Sequence, residues 1–193
     1  MNRSNASRGG VAVLVLAGGE GRRLGGGKPL RRVGKRTLLD HAIERGQQWS
    51  DTVAVAAKSA DQVGNCDLPV LIDQPGIGGP LAGLASARLL DCPLVLTIPC
   101  DMPFLPDDLM ARLTAVLGNE GASLASSGGR IHPVCGLWRR ESLMQLPAYF
   151  ATGRRSIMGF AEVIGYATVG WDDHWFVNVN TPIDLAQAER RID

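Results

Sequence analysis

The residues with the clearest chemical capacity in this chain lie in one short glycine-rich stretch. Leu16-Ala17-Gly18-Gly19-Glu20-Gly21-Arg22-Arg23-Leu24-Gly25-Gly26-Gly27-Lys28 holds six glycines and three basic residues. Glycines let a backbone approach phosphate oxygens and offer their N–H groups, while Arg22, Arg23 and Lys28 supply positive charge. Two familiar phosphate loops fail on spacing. A Walker A loop needs glycine where Arg22 stands and a hydroxyl residue where Pro29 stands. The dinucleotide fingerprint matches at Gly19 and Gly21 but has Leu24 in place of its third glycine.

Further along, Asp101 follows an apolar run in Ile98-Pro99-Cys100-Asp101-Met102-Pro103-Phe104. A carboxylate just beyond a strand end, beside a phosphate loop, suits Mg²⁺, which prefers hard oxygen ligands. Asp73 ends another short run and precedes Gln74-Pro75-Gly76-Ile77-Gly78-Gly79-Pro80-Leu81-Ala82-Gly83. A turn or cap role alone also explains that aspartate. Near the end, Asn178-Val179-Asn180-Thr181-Pro182 offers amide oxygens that can complete a Mg²⁺ shell without adding charge. Asn180 and Thr181 equally suit the cap of a final helix with Pro182 in its first turn.

The elements that must carry these residues follow from hydrophobic patterning. Val11 to Leu16 is unbroken and rich in valine, as in a strand covered on both faces. Val53 to Ala56, Val70 to Ile72 and Leu94 to Ile98 are similar. Helical stretches are expected at Leu38 to Gln48, Leu81 to Leu90 and Pro106 to Leu117. Strand–helix alternation of this kind implies a mainly parallel sheet with right-handed crossovers. The phosphate loop then lies beyond the carboxyl end of the first strand, where open α/β sheets bind ligands. In the last third, Ala122 to Ala125 and Val134 to Trp138 flank a Ser126-Ser127-Gly128-Gly129 turn and read as a hairpin. Helices are expected at Glu141 to Phe150 and Arg155 to Ile164. Phe176 to Asn180 then leads into a last helix over Thr181 to Ile192. Residues 1–10 read as a polar tail and 11–193 as one α/β domain.

Bulk composition excludes several classes. With 193 residues, 45% hydrophobic, 20% charged and a net charge of +1, nothing points to nucleic acid or an anionic membrane as partner. The opening apolar run is too short for a signal peptide or a span. Cys66, Cys92, Cys100 and Cys135 form no Cys-x-x-Cys pair, which fits reduced thiols and a cytoplasmic setting.

Taken together, five motifs in fixed order resemble one family. Leu-Ala-Gly-Gly with Arg23, Leu24, Gly25 and Lys28, then Gly79-Pro80-Leu81-Ala82-Gly83, Cys100-Asp101-Met102-Pro103, His132-Pro133 and Asn178-Val179-Asn180-Thr181-Pro182 are similar to the nucleotidyltransferases that include molybdenum cofactor guanylyltransferase, the MobA family. The resemblance spans about Val11 to Ala188. It implies a Rossmann-like three-layer α/β/α domain of the nucleotide-diphospho-sugar transferase type. It also implies that Leu16, Ala17, Gly18, Gly19 and Asp73 bind the nucleotide and that Arg23 approaches its phosphates. Lys28 would stabilise charge at the α-phosphate, while Asp101 and Asn180 would hold Mg²⁺. His132 falls on the acceptor side, and Arg154-Arg155-Ser156 resembles a basic pair that grips the pterin phosphate. One departure stands out: Val55-Ala56-Ala57-Lys58 lacks the asparagine or arginine the family often places there, so that contact is either lost or taken by Lys58.

The implied reaction is in-line attack by the phosphate of Mo-molybdopterin on the α-phosphorus of GTP. A phosphate nucleophile is already ionised, so no strong general base is required, in keeping with motifs that offer no Ser-His-Asp set. Gly18-Gly19 after Ala17 leans towards guanine, since related cytidylyltransferases tend to read Leu-Ala-Ala-Gly. A CTP-dependent enzyme, or a nucleotidyltransferase acting on another small phosphate, is the alternative. A non-catalytic nucleotide-binding regulator would lack Lys28 or Asp101, and both are present. Transient contacts with cofactor-biosynthesis or acceptor molybdoenzyme proteins are expected for delivery of the product.

Overall fold

A computed structural model of the chain describes residues 10–19, 21, 24–74 and 76–192. It runs β1 (Val11–Leu16), two short strands β2 (Arg32–Val33) and β3 (Arg36–Thr37), α1 (Leu38–Trp49), β4 (Val53–Ala57), β5 (Val70–Ile72), α2 (Pro80–Ser86) and β6 (Leu94–Pro99). Next come α3 (Leu109–Val116), β7 (Ala122–Ser127), β8 (Arg130–Arg139), α4 (Arg140–Leu143), α5 (Leu146–Ala151), α6 (Ile157–Ile164), β9 (Tyr166–Trp171) and α7 (Pro182–Ile192).

Seven strands form one sheet in the order β5-β4-β1-β6-β8-β7-β9. The β1–β4, β1–β6, β4–β5 and β7–β9 pairs are parallel, and β8 runs antiparallel to both its neighbours. The reason β1 is central is visible in its residues: Ala12 to Val15 are all fully buried, and alternate side chains feed opposite faces of the sheet. Val13 and Val15 pack with Leu39, Ala42 and Trp49 of α1 and Leu109 and Leu113 of α3. Leu14 packs on the other side with Leu81 and Leu84 of α2 and Phe160 of α6. Helices therefore cover both faces, giving the expected three layers. The entry to α1 is set by a reciprocal pair: Asp40 N–H donates to Thr37 Oγ1 at 3.0 Å and Thr37 N–H to Asp40 Oδ2 at 2.8 Å. None of the helices among the described residues is long and apolar enough to cross a membrane.

Inside the sheet, the Trp138 indole N–H of β8 donates to Thr97 Oγ1 of β6 at 2.9 Å, and the threonine hydroxyl donates onward to Gly136 O. Trp138 and Thr97 are fully buried. Thr97→Val keeps the volume but strands the indole donor, and should destabilise the protein by about 1–3 kcal/mol in chemical unfolding.

Two expectations need correction, and one strand is new. Glu141 to Phe150 is two short helices, because Pro147 sits in the first turn of α5, where its missing N–H is tolerated, and cannot continue a helix from α4. The α3 helix starts at Leu109, after a turn in which Leu109 N–H bonds Pro106 O. Strand β9 went unrecognised in the sequence: it is a partly exposed edge strand containing Gly170, and its pattern is weak. Of the tail expected over residues 1–10, residues 1–9 lie outside the described residues.

Candidate active site

The parallel strands β5, β4, β1 and β6 all end on the same edge of the sheet. Chain order reverses across β1, since β4 and β5 lie to one side and β6 to the other, and this is the switch point at which open α/β sheets bind ligands. The ladders continue just past the strand ends. Ala17 N–H donates to Ala56 O, Asp73 N–H to Ala57 O, and Cys100 N–H to Leu16 O. This fixes the starts of the glycine loop, the Asp73 segment and the Asp101 segment side by side. A cavity of about 610 Å³ opens over them. Leu16, Ala56, Pro99 and Val134 form apolar parts of its wall, while Gly18, Gly19, Gly21 and Lys28 form its glycine-loop side.

Lys28 is the centre of the polar arrangement. Its residue is only 7% exposed, yet its ammonium donates to Asp101 Oδ2 and to Asn180 Oδ1, each at 2.5 Å. Gly27, in the left-handed region at φ 60°, starts the 3₁₀ turn Lys28–Leu30 that aims the side chain. Gly21, at φ 59°, presses against it so closely that an added Cβ would lie 2.4 Å from the Lys28 Cβ. Asn180 reaches the same point because Val179 N–H donates to Asp101 O at 2.8 Å, tying the segment before α7 to the end of β6.

The competing roles of Asn180 and Thr181 are resolved by α7. Thr181 Oγ1 accepts from Asp184 N–H at 3.2 Å, and Asp184 Oδ2 accepts from the Asn180 and Thr181 N–H groups at 2.9 and 2.8 Å. Thr181 and Asp184 therefore cap the helix, and the Asn180 side chain is left for Lys28. The Asp184 carboxyl is held below its ordinary value of 3.8, first by the Asn180 backbone N–H and further by Thr181. A depressed value means stability that is present above pH 3.8 and lost as the pH falls through the folded-state value. Asp184→Ala should cost about 1 kcal/mol at pH 7, or about 2–4 °C in Tm, and the difference should vanish in acid.

Asp73 is wedged between two glycines. A Cβ on Gly18 would stand 3.0 Å from its Oδ2, and one on Gly83 would stand 3.8 Å from its Oδ1. That Oδ1 is buried and has no hydrogen-bond partner among the described residues. Burial pushes the carboxyl up, and the Lys58 ammonium draws it back down. Cys100, beside Asp101, is buried and its thiol is pushed up to about 12, first by burial and then by the Asp101 charge, so it is inert as a nucleophile.

Of the residues named from sequence, Leu16, Gly18, Gly19, Lys28, Asp73 and Asp101 line the cavity, and Lys58 lines it too. Asn180 joins Asp101 through Lys28, while Asn178 lies on the cavity wall. The Ala17 side chain points into the core on the α1 face. Arg22 and Arg23 lie outside the described residues. His132 is 6% exposed, stacked on Phe176 at 4.7 Å and hydrogen-bonded to Ser127 Oγ at 2.8 Å, with its basicity lowered by burial and by Arg130. Arg154 lies over the Tyr149 ring and donates to Gly159 O, and Arg155 lies over Phe150. Gly21 and Gly83 both belong to motifs visible in the sequence, and the structure adds that Gly21 packs against Lys28 and Gly83 against Leu16 and Asp73.

As a cation site, Asp101 and Asn180 fit a hard divalent ion. Their oxygens already converge on one positive centre, the Lys28 ammonium. Among the described residues there is no cluster of three or more His, Cys, Asp or Glu side chains that could form a closed metal cage. Two protein oxygens, with the remaining positions left to phosphate and water, is the habit of Mg²⁺ at nucleotide sites.

Comparison with known proteins identifies the family and the fold. The sequence model of the MobA-like NTP transferase domain matches residues 13–164. The molybdenum cofactor guanylyltransferase of Cereibacter sphaeroides is 42% identical over 183 residues, covering 91% of this chain and 94% of that protein. The crystal structure of molybdopterin-guanine dinucleotide biosynthesis protein A from Archaeoglobus fulgidus superposes with a TM-score of 0.78 at 21% identity, over 94% of this chain and 98% of that one. The 2-C-methyl-D-erythritol 4-phosphate cytidylyltransferase of Thermus thermophilus superposes with a TM-score of 0.71, also at 21% identity and over the same shares of the two chains. At those identities the two structures speak for the fold.

Proposed function

The chain belongs to the MobA-like NTP transferase family, and we propose that it transfers GMP from GTP to the phosphate of Mo-molybdopterin, releasing pyrophosphate. The observation that carries the reading is the meeting of Lys28, Asp101 and Asn180 beside the glycine loop at the β1/β6 switch point. Positive charge, a cation-holding pair and exposed loop amides are what α-phosphoryl transfer requires.

The cavity also has two ends. The backbones of β5 and β6 are three strand spacings apart, about 14 Å, which matches the reach of a nucleotide lying across the strand ends. We assign the triphosphate to the Lys28 and Asp101 end and the base to the Asp73 end. Guanine offers adjacent N–H and amino donors, a pattern a carboxylate accepts well and cytosine does not present. The unpartnered Asp73 Oδ1 supports this assignment, because a bound donor would relieve a buried acceptor worth about 1–3 kcal/mol.

In the reaction, an oxygen of the acceptor phosphate bonds to the α-phosphorus while the bond to the β-phosphate oxygen breaks. Amides of Gly18, Gly19 and Gly21 orient the phosphates, and Lys28 balances charge on the α-phosphate, with Arg23 assigned to the same phosphates. Asp101 and Asn180 would hold the divalent ion, which we assign as Mg²⁺ and which would supply further charge neutralisation when bound. The reaction belongs in the cytoplasm, with both substrates small and diffusible.

Pyrophosphate release with Mg²⁺, each NTP in turn and Mo-molybdopterin tests the reading. Release with GTP alone is expected. Release only with CTP would move the base preference, and release with none would sink the acceptor assignment. Inosine triphosphate, which lacks the 2-amino group, should be about 10-fold poorer than GTP in kcat/KM for the parent. Asp73→Asn should erase that difference while raising KM for GTP and leaving kcat near the parent value. An unchanged GTP-to-ITP ratio in the variant would remove Asp73 from base reading.

A further inference from the structure

The Lys28 ammonium occupies the point where the two oxygens assigned to the metal converge, 2.5 Å from each. Mg²⁺ takes oxygen ligands at about 2.0–2.1 Å. An ion held by both of those oxygens would therefore lie within about 3–4 Å of an ammonium that kept its place. Two positive centres at that separation, in a site where Lys28 is 7% exposed, repel strongly and compete for the same lone pairs.

We propose that Lys28 is the resident counter-cation of the Asp101–Asn180 pair, and that the pair accepts a divalent ion only when nucleotide phosphates draw Lys28 away. Metal entry is then conditional on nucleotide. The route for the exchange is short. The Lys28 side chain runs alongside the glycine loop, with its Cδ 3.9 Å from where a Gly19 Cβ would stand and its Cβ against Gly21. Phosphates arriving on those amides would lie beside the Lys28 side chain, and rotation about its outer bonds would turn the ammonium towards them. The 3₁₀ turn and the Gly21 contact hold the base of the side chain, so Lys28 exchanges partners without moving the loop. Without nucleotide the site is neutralised internally, and free metal has little to gain there.

The inference rests on the assignment of Asp101 and Asn180 as the cation-holding pair, and the test separates the two. Mn²⁺ binding to nucleotide-free protein is followed by the EPR signal of the free ion. Lys28→Met, and the neutral polar variant Lys28→Gln, should each bind Mn²⁺ at least 10-fold more tightly than the parent, with thermal melts showing which variants are folded. Adding Asp101→Asn to Lys28→Met should abolish the gain. Equal binding by parent and either folded Lys28 variant overturns the proposal, and so does a gain that survives Asp101→Asn. A second series adds a non-hydrolysable GTP analogue. If uptake, counted beyond what the analogue alone binds, appears in the parent and is lost in Asp101→Asn, the metal assignment stands whatever the nucleotide-free result. If Asp101→Asn retains full uptake, the assignment falls and the proposal with it.

Discussion

Asp101→Asn should lower kcat by about 10²- to 10³-fold, close to 3–4 kcal/mol of transition-state stabilisation, and should also lower Tm. The two effects have one origin. Asp101 is the only carboxylate that Lys28 contacts among the described residues, and the side chains of the pair are 9% and 19% exposed. Removing one partner from a buried ion pair leaves the other charge desolvated and unmatched, which costs several kcal/mol when burial is complete. Partial exposure of Asp101 and the remaining contact to Asn180 reduce that figure, so about 2 kcal/mol is expected, or about 4–8 °C. Asparagine keeps the shape and one acceptor, so the change isolates charge. Pyrophosphate release and a thermal melt on the same preparation read both effects. Full activity in this variant would exclude Asp101 from the metal and phosphate machinery. Lost activity with an unchanged melt would mean that the ion pair serves chemistry and adds nothing to the fold.

Gly21→Ala should be nearly as damaging to catalysis by a different route. The residue sits at φ 59°, where any side chain is strained by about 1–3 kcal/mol, and its new Cβ would stand 2.4 Å from the Lys28 Cβ and 3.2 Å from the Lys28 Cα. The nearest atoms belong to the base of Lys28, which cannot rotate aside, so the loop or the 3₁₀ turn must move. A displacement of about 1 Å at a phosphate-positioning group is worth about 100-fold in rate. Gly26→Ala is the matched control. Gly26 also has positive φ, at 85°, but an added Cβ meets nothing within 4 Å. Both variants should lose about 1–3 kcal/mol to backbone strain, Gly21→Ala more because of its overlap with Lys28, while only Gly21→Ala should lose about 100-fold in kcat. Equal kinetic losses would trace the effect to backbone strain rather than to Lys28.

Much of the fold was legible because the residues that build it carry strong local signals. Val11 to Leu16 is a continuous apolar run and Leu94 to Ile98 is interrupted only by Thr97, the pattern of strands covered on both sides. Thr37 and Asp40 mark the start of α1 by their side-chain chemistry. Signals failed where burial was partial or where neighbours decided. Tyr166–Trp171 became a strand because β7 offered it a parallel edge, and its own alternation through Thr168 and Gly170 is faint. Phe176 to Asn180 has strand-like residues but stays outside the sheet, because its Val179 N–H is spent on Asp101 O.

The same division holds at the site. The sequence alone determined which chemistry was available: a glycine-rich loop after a buried strand, a lysine at its end, an aspartate beyond the β6 run and amide side chains before the last helix. Those are properties of residue type and near-neighbour spacing, and short-range sterics and hydrogen bonding express them directly. Only the tertiary structure decided that Lys28, Asp101 and Asn180 meet at one point, since they are separated by 73 and 152 positions. It also decided that Thr181 and Asp184 take the cap and release Asn180, and that Gly21 and Gly83 leave room that a side chain would fill. Such convergence depends on strand order and packing across the sheet, which the whole set of buried contacts selects and no local stretch encodes.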